Sequence, residues 1–473
     1  MIADLKPYAE YKESGLPWLG QVPGHWDVSP LAGLARLRSV VNQSERQLLS
    51  VYLQRGVVRF SDVDEKRTNA TSTDLSNYQA VDPGDFVLNN QQAWRGSVGV
   101  SNYSGIVSPA YLVLELSKRY LARYANILFR DQNMVSQYLA CSKGVGTIQR
   151  NLYWPHLKRV GVVVPPPDEQ AAIVRFLDWA NGRLERAIRA KRKVIALLGE
   201  QKQAIIHRAV TRGLDPSVPL KPSGIPWLGD IPQHWEVLRV KQATRILRGK
   251  FSHRPRNDAS LYDGPYPFIQ TGVVAQASKF ITSYSQTLNE KGLAVSKLFP
   301  SGTLVMTIAA NIGEVAVLTF DACFPDSIVG FVPETSADRD YLYMVFVCMK
   351  PELLREAPVN TQGNLNVERI GAMGMPFPPL AEQGNIAKHA EVETAAFDLT
   401  ISRLEREIEL LREYRTRLVA DVVTGKLDVR EAAAKLPEES DDPERFDGAD
   451  ALTEGDEDTD GEALDTVAEE AEA

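Results

Sequence analysis

The sequence predicts an α+β architecture laid down twice, with two unlike globular middles set on one repeated frame. Three observations carry this. First, Ser14–Val28 reads SGLPWLGQVPGHWDV and Ser223–Val237 reads SGIPWLGDIPQHWEV, identical at 10 of 15 positions and offset by 209. Second, PPPDEQ at 165–170 returns as PPLAEQ at 378–383, offset by 213, and the same offset carries the helical stretch 193–215 onto 406–428. Third, the residues between these markers diverge and are rich in short β-prone runs. A period near 210 residues is too long for a solenoid and describes a duplicated domain.

The long helices follow from spacing. After Pro165–Pro167, with Asp168 placed to cap, apolar residues recur at Ile173, Leu177, Ala180, Leu184, Ile188, Ile195, Leu198, Ile205 and Ala209. The second copy gives Ile386, Ala390, Phe397, Ile401, Leu404, Ile408, Leu411, Leu418 and Val422. Steps of three and four over about 40 residues describe a coiled-coil seam, roughly 60 Å long at 1.5 Å per residue. Gly213 and Gly425 are placed to end the helices. Two helices of matched register favour mutual pairing over separate packing of each on its own domain. Their outward Arg and Lys residues (Arg183, Arg186, Arg189, Lys191, Arg192, Lys193) read mainly as a solvated face. Pseudo-symmetry then places residues 1–20 beside 424–435, a cyclic arrangement.

The middles, 26–165 and 235–378, predict strands at Phe86–Leu88, Val98–Val100, Tyr111–Leu116, Val160–Val164, Leu304–Ile308, Val315–Leu318 and Ile328–Val332. Helices are expected at Ala122–Leu139 and Ala337–Lys350. Few helices among many short strands fit a curved, largely antiparallel sheet. The full division is a lead segment 1–25, a first middle 26–165, a first spacer helix 166–213, a second lead segment 214–234, a second middle 235–378, a second helix 379–435, and an acidic tail 436–473.

Composition narrows the class. With 44% apolar and 24% charged residues the chain is globular, and it carries no long apolar run for a membrane span. The first residues have no apolar core of the signal-peptide type, so a cytoplasmic setting is expected. Cys141, Cys323 and Cys348 lie far apart, which speaks against a zinc site or a disulfide framework. The net charge of −8 is unevenly spread: Glu438–Ala473 holds 17 acidic residues and one Arg, leaving 52 Lys+Arg against 44 Asp+Glu, or +8, on residues 1–437. A basic body permits a polyanionic partner. The tail is too poor in apolar groups to offset its own ordering entropy, and disorder is expected there.

Several segments carry a resemblance. DPGDFVLNNQQAWRGSVGVSNYSGIVSPAY (82–111), GTIQRNLYWPHLKRVGVVVPPPDEQ (146–170), QKQAIIHRAVTRGLD (201–215) and both SG-[LI]-PWLG-x-[VI]-P-x-HW segments are similar to those of type I restriction–modification DNA specificity subunits. The resemblance implies two α/β target-recognition domains held apart by a long antiparallel two-helix coiled coil. Each domain would read one half of an asymmetric site in double-stranded DNA. Two methyltransferase subunits would dock on the helices and flanking segments, and restriction/translocase subunits would join them. The alternative from another class is a non-catalytic protein–protein adaptor with two divergent binding domains.

Base edges are read by Arg or Lys on guanine and by Asn or Gln on adenine. The candidates in the first middle are Asn89, Gln91, Gln92 and Arg95, clustered with Asn90 beside Trp94 in a Gly-flanked loop. Family members often place a Lys-Met pair near this loop, where this chain has amides. Trp94 is expected in the core rather than stacked on a base, and Gly96, Ser97 and Gly99 as turn and bulge residues. The second middle offers the basic run RGKFSHRPR, with Arg248, Lys250, Arg254 and Arg256, as a phosphate-contacting or merely solvated loop. Gln270, Thr271, Asn311 and Gln362 are further loop candidates. The Asn151/Asn364 pair recurs in both halves and reads as capping or turn formation.

No catalytic residues, metal ligands or cofactor are predicted. There is no GxxxxGK[ST] loop, no Asn-Pro-Pro-aromatic segment, no HExxH and no GxSxG, and Pro325-Asp326 lacks a downstream Glu-x-Lys. His25 and His234, beside Trp26 and Trp235, have no acid or cysteine cluster nearby in sequence and read as structural packing.

Overall fold

A computed structural model describes residues 5–53, 55–62, 74–145, 149–253, 258–309, 311–356 and 365–437. They fall into two compact units: residues 1–191 with 406–473, and residues 192–405.

The first unit is built on a four-stranded antiparallel sheet in the order Ala35–Arg38, Tyr111–Leu116, Phe86–Asn89, Val98–Val100. Val87, Val113 and the strand pair Leu49–Tyr52/Gly56–Arg59 bury one face, while Phe86, Leu88 and Leu114 face the helical side. The expected helix 122–139 is two helices, Ala122–Arg130 and Gln132–Ala140. Asp131 is extended between them, and its carboxylate accepts from the Asn133 amide at 2.9 Å. That local bond competes with helix continuation, as Asp commonly does. Asn151 also departs from expectation, since it lies in strand Gln149–Leu152 opposite Lys143 and not in a turn.

The second unit has a five-stranded sheet in the order Thr244–Arg248, Ile328–Pro333, Leu304–Thr307, Val315–Leu318, Phe280–Ile281. Only the last of these pairings is parallel. A second sheet runs Gln286–Leu288, Tyr262–Phe268, Ala322–Cys323, Leu298–Phe299. The helix Arg339–Glu356 continues six residues past its expected end and through Pro351, with Tyr341, Leu342, Val345, Phe346 and Met349 buried. Packing on the sheet outweighs the proline there.

The two units share a frame despite their unlike sheets. Asp27–Pro30 pairs antiparallel with Gly161–Val164, and Glu236–Arg239 pairs the same way with Gly374–Phe377. Each pairing joins the start of a middle to its end. A Cβ on Gly161 would lie 2.6 Å from the Leu16 side-chain tip, and one on Gly374 would lie 2.2 Å from that of Ile225, so a larger residue at either site would require that side chain to shift.

The first long helix is Pro167–Arg212 and the second Leu380–Val423. Asp168 therefore sits inside the first turn rather than at the cap. The second helix stops twelve residues short of the expected 435, and a separate short helix, Arg430–Ala434, follows. Gly213 (φ 73°) and Gly425 (φ 81°) turn the chain in the left-handed region.

Within each unit the two helices run antiparallel. In the first, Arg415 meets Glu185 at 3.2 Å and Lys191 meets Glu407. In the second, Lys202 meets Asp398 at 2.5 Å. Burial along the seam is uneven: Leu177, Ala180 and Ile188 are buried, as are Ala209, Ile386 and Ala390, whereas Ile195, Leu198, Ile401 and Leu404 are half-buried. A helix with only one neighbour cannot bury a wider stripe.

In the first unit, Lys6 and Asp428 form an antiparallel bridge, and the Asp428 amide donates to the Lys6 carbonyl at 2.8 Å. Tyr11 Oη donates to the Lys426 carbonyl at 3.0 Å, and Tyr124 Oη to that of Val423 at 3.1 Å. The chain's first described residues are thus stitched to the segment after the second helix. No helix among the described residues is long and apolar enough to cross a membrane.

Candidate nucleic-acid interface

In the first unit, strand Phe86–Asn89 ends in a tight loop. Asn89 Oδ1 accepts from the Gln91 amide at 3.1 Å, and the Asn89 carbonyl accepts from the Gln92 amide at 3.1 Å. Its side chain is thus engaged in an Asx turn. The chain then makes a 3-10 turn, Ala93–Arg95, closed by Gly96 at φ 101°. Ala93 is buried, and Ser97 Oγ donates to the Val51 carbonyl at 2.8 Å, fixing both ends of the loop. Gln91 and Arg95 are left exposed, and Gln92 is half-buried.

Trp94 departs from its expected core position. It is half-buried, its Nε1 donates to the Gln91 carbonyl at 2.9 Å, and its ring faces Arg95 and Arg150. Gly99 is neither a turn nor a bulge residue: it lies in strand Val98–Val100, paired in regular register with Val87, and a Cβ there would lie 3.1 Å from Gly56. The turn before the loop's strand is held by charge. Arg38 pairs with Asp82 and, at 3.0 Å, with Asp85, while Arg46 reaches Asp82 at 2.8 Å. The hydrogen bond from Arg38 holds the Asp82 carboxyl below the usual range, whereas burial pushes Asp85 up.

In the second unit, Arg248 and Lys250 flank Gly249, whose Cβ would lie 2.0 Å from the Pro325 carbonyl. That close approach presses the strand end onto 324–328 and leaves both cations exposed. Gln270 Nε2 donates to Gln286 Oε1 at 2.5 Å. Gln270, Thr271 and Gln286 line a cavity of about 550 Å³ with Phe251, Phe268 and Asp263. Asp263 holds φ 61°, unusual for a non-glycine residue. Asn311 is exposed in the turn before Gly313, apart from this group. Arg254, Arg256, Gln362 and Asn364 lie outside the described residues. The structure thus brings Asn89, Gln91, Gln92 and Arg95 into one loop and Gln270 and Thr271 to one cavity, with Lys250 next to its Phe251 wall.

The histidine–tryptophan pairs do have an acid, distant in sequence. Glu169 Oε1 lies 2.6 Å from His25 Nε2, and Glu169 Oε2 accepts from Trp26 Nε1 at 2.5 Å. In the second unit Glu382 Oε2 lies 2.9 Å from His234 Nε2, and Oε1 accepts from Trp235 Nε1 at 3.0 Å. The next residue repeats as well. Gln170 takes the Leu121 amide and gives to the Arg119 and Pro165 carbonyls; Gln383 takes the Asp338 amide and gives to those of Ser336 and Pro378. Each Glu-Gln pair clasps its lead segment and middle to the start of a long helix. The sequence signal was the joint recurrence of His-Trp and Glu-Gln. Among the described residues no three His, Cys, Asp or Glu side chains are placed to hold a metal.

Comparison with known proteins bears on this frame. Residues 232–410 match the family model described as type I restriction modification DNA specificity domain. The type I restriction enzyme MjaVIII specificity subunit of Methanocaldococcus jannaschii is 22% identical over 348 residues, 69% of this chain and 75% of that one. The chain is thus similar to type I restriction–modification specificity subunits, and the family model covers residues 232–410. The EcoKI specificity subunit of Escherichia coli is 23% identical over 215 residues, 42% of this chain and 44% of that protein. A solved chain from work on complex assembly and conformational transition of the type I R-M system superposes with a TM-score of 0.58 at 14% identity. It covers 86% of this chain and 99% of that one, a likeness of fold.

Proposed function

We propose that this chain recognises a bipartite, asymmetric sequence in double-stranded DNA, one half through each unit, and that it does no chemistry itself. The observation that carries this is the pairing of a repeated clasp, Trp26–Glu169 and Trp235–Glu382, with two sheets of different strand order. A constant frame with unlike middles supports two different readers. The family match to a DNA specificity domain supplies the ligand class.

The reading residues in this proposal are Asn89, Gln91, Gln92 and Arg95 in the first domain, and Arg248, Lys250, Arg254, Arg256, Gln270, Thr271, Asn311 and Gln362 in the second. The domains span 26–165 and 235–378, and the helices form an antiparallel coiled-coil spacer between them. Two methyltransferase subunits dock on the helices and lead segments, and restriction/translocase subunits complete the nuclease.

Base-resolution mapping of DNA methylation in cells carrying this subunit and its cognate methyltransferase tests the reading. The expected result is a two-part motif with an unspecified spacer. A contiguous motif, or none, counts against it.

A further inference from the structure

The segment between the short helices and the first spacer helix forms a hairpin, Ser142–Val145 with Gln149–Leu152. None of its residues stood among the expected DNA contacts. Its register pairs Lys143 with Asn151 and Gly144 with Arg150, so alternate residues point to opposite faces. On one face Lys143 Nζ sits 3.9 Å from the centre of the Tyr153 ring, which is 40% exposed. On the other, buried Leu152 donates its amide to the Asn90 carbonyl at 2.9 Å, seating the hairpin on the 89–95 loop.

That seating brings Arg150 to the loop's tryptophan. The Arg150 guanidinium carbon lies 5.8 Å from the Trp94 ring centre, and that of Arg95 lies 5.9 Å from it. Two guanidinium groups from separate segments therefore share one indole, beside exposed Gln91. A cation–π approach to an aromatic ring favours particular arginine rotamers before any ligand arrives, which lowers the entropy cost of binding. Among the described residues Arg95 and Lys143 form no ion pair.

Resting on the DNA reading above, we propose that Arg150, braced with Arg95 on Trp94, is a guanine-reading residue of the first half-site, and that Lys143 holds a backbone phosphate. The forked guanidinium matches guanine O6 and N7 bidentately, whereas a lysine ammonium in the same place supplies charge without the fork. A merely structural or electrostatic role would tolerate that exchange.

The test uses the full chain co-expressed with its methyltransferase, with two readouts: the methylated motif, and affinity for a random-sequence duplex across salt concentrations. Arg150→Lys is expected to keep random-duplex affinity within about twofold while methylation of the wild-type motif falls about tenfold or more, with other bases admitted at a guanine of one half-site. Lys143→Ala is expected to leave the motif unchanged and to lower the salt slope by about one. An unaltered motif and rate in Arg150→Lys overturns the reader role, as does an equal fall in both readouts. Should that variant fail to fold, Arg95→Lys on the exposed turn carries the same readouts. A wild-type chain that binds no duplex overturns the DNA reading and this inference with it.

Discussion

Glu169 accepts the indole hydrogen of Trp26 from 143 positions away, and it is one of the most deeply buried carboxylates among the described residues, at 3% exposure. His25 and Arg430 also reach it, at 2.6 Å and 3.0 Å, and Tyr8 Oη lies 3.5 Å from it. Glu382, its counterpart, is 30% exposed and, among the described residues, its carboxylate holds His234 and Trp235 alone. The difference arises because Tyr8 and Arg430, from the lead segment and the short helix after the second long one, close over the first site.

Removing the two carboxylates should therefore have unequal effects. Glu169→Ala strands a buried indole N–H and leaves Arg430 without one partner, an expected loss of about 3 kcal/mol. Glu382→Ala is expected to cost about 1 kcal/mol, because water can reach the freed groups. Urea unfolding of both variants against the parent chain checks the order; equal losses would show that the closing segments add nothing at Glu169.

Asp82 supplies a pH test. Its folded carboxyl titrates below the ordinary range, first through its hydrogen bond to Arg38 and then through Arg46. A depressed folded value stabilises the fold above the unfolded pKa, about 3.9, and this contribution disappears as pH falls through the lower folded value. Asp82 is 38% exposed, so solvent screening limits its worth to about 1 kcal/mol or less. Asp82→Asn is expected to lower stability at pH 7, and the gap is expected to close as pH falls through the lowered folded value of the Asp82 carboxyl. A gap that persisted in acid would place its origin in packing rather than charge.

The duplicated frame was legible because its markers are local. The tryptophan segments, the Glu-Gln pairs and the helix seams are each read within a few dozen residues. What the clasp joins was not legible, since Trp26–Glu169 and Trp235–Glu382 are contacts across nearly the whole of each middle. The break at Asp131 was hidden inside a continuous helical pattern, and only its extended backbone and cap reveal it. The hairpin 142–152 escaped because KGVGTIQRNL has no apolar alternation; its strands are set by pairing and by the Leu152–Asn90 bond. The Asn89–Arg95 loop was recognised as a group, yet composition alone could not separate the exposed Gln91 and Arg95 from the internally bonded Asn89.

The acidic tail offers a third test. Arg175 Nη2 donates to the Leu436 and Pro437 carbonyls at 2.9 Å and 3.1 Å, fixing where the last described residues leave the first long helix. Beyond them the sequence carries net −16 over 438–473, tethered to a body of +8. We propose that this segment competes weakly with DNA for the basic surface. Truncation after Pro437 is then expected to raise affinity for random duplex at low salt and to have little effect at about 0.3 M salt, where the Debye length is shorter than 10 Å. Unchanged affinity at low salt would leave the tail a solubilising role.

The proposed spacer can be tested by changing its length. Lys202 opposite Asp398 and Lys191 opposite Glu407 set the antiparallel register, which places Gly199 near the level of Thr400. Four residues added after each of these positions lengthen both helices by one turn, about 6 Å. Duplex DNA rises about 3.4 Å per base pair, so the unspecified gap in the methylated motif is expected to grow by one or two base pairs. The two half-site sequences should stay as they were, since neither middle is altered. Seven-residue insertions, which preserve the seam's register, keep the pair intact if the four-residue change disturbs it. A methylated motif whose gap stays constant in folded variants of both lengths would show that the helices do not measure the spacing.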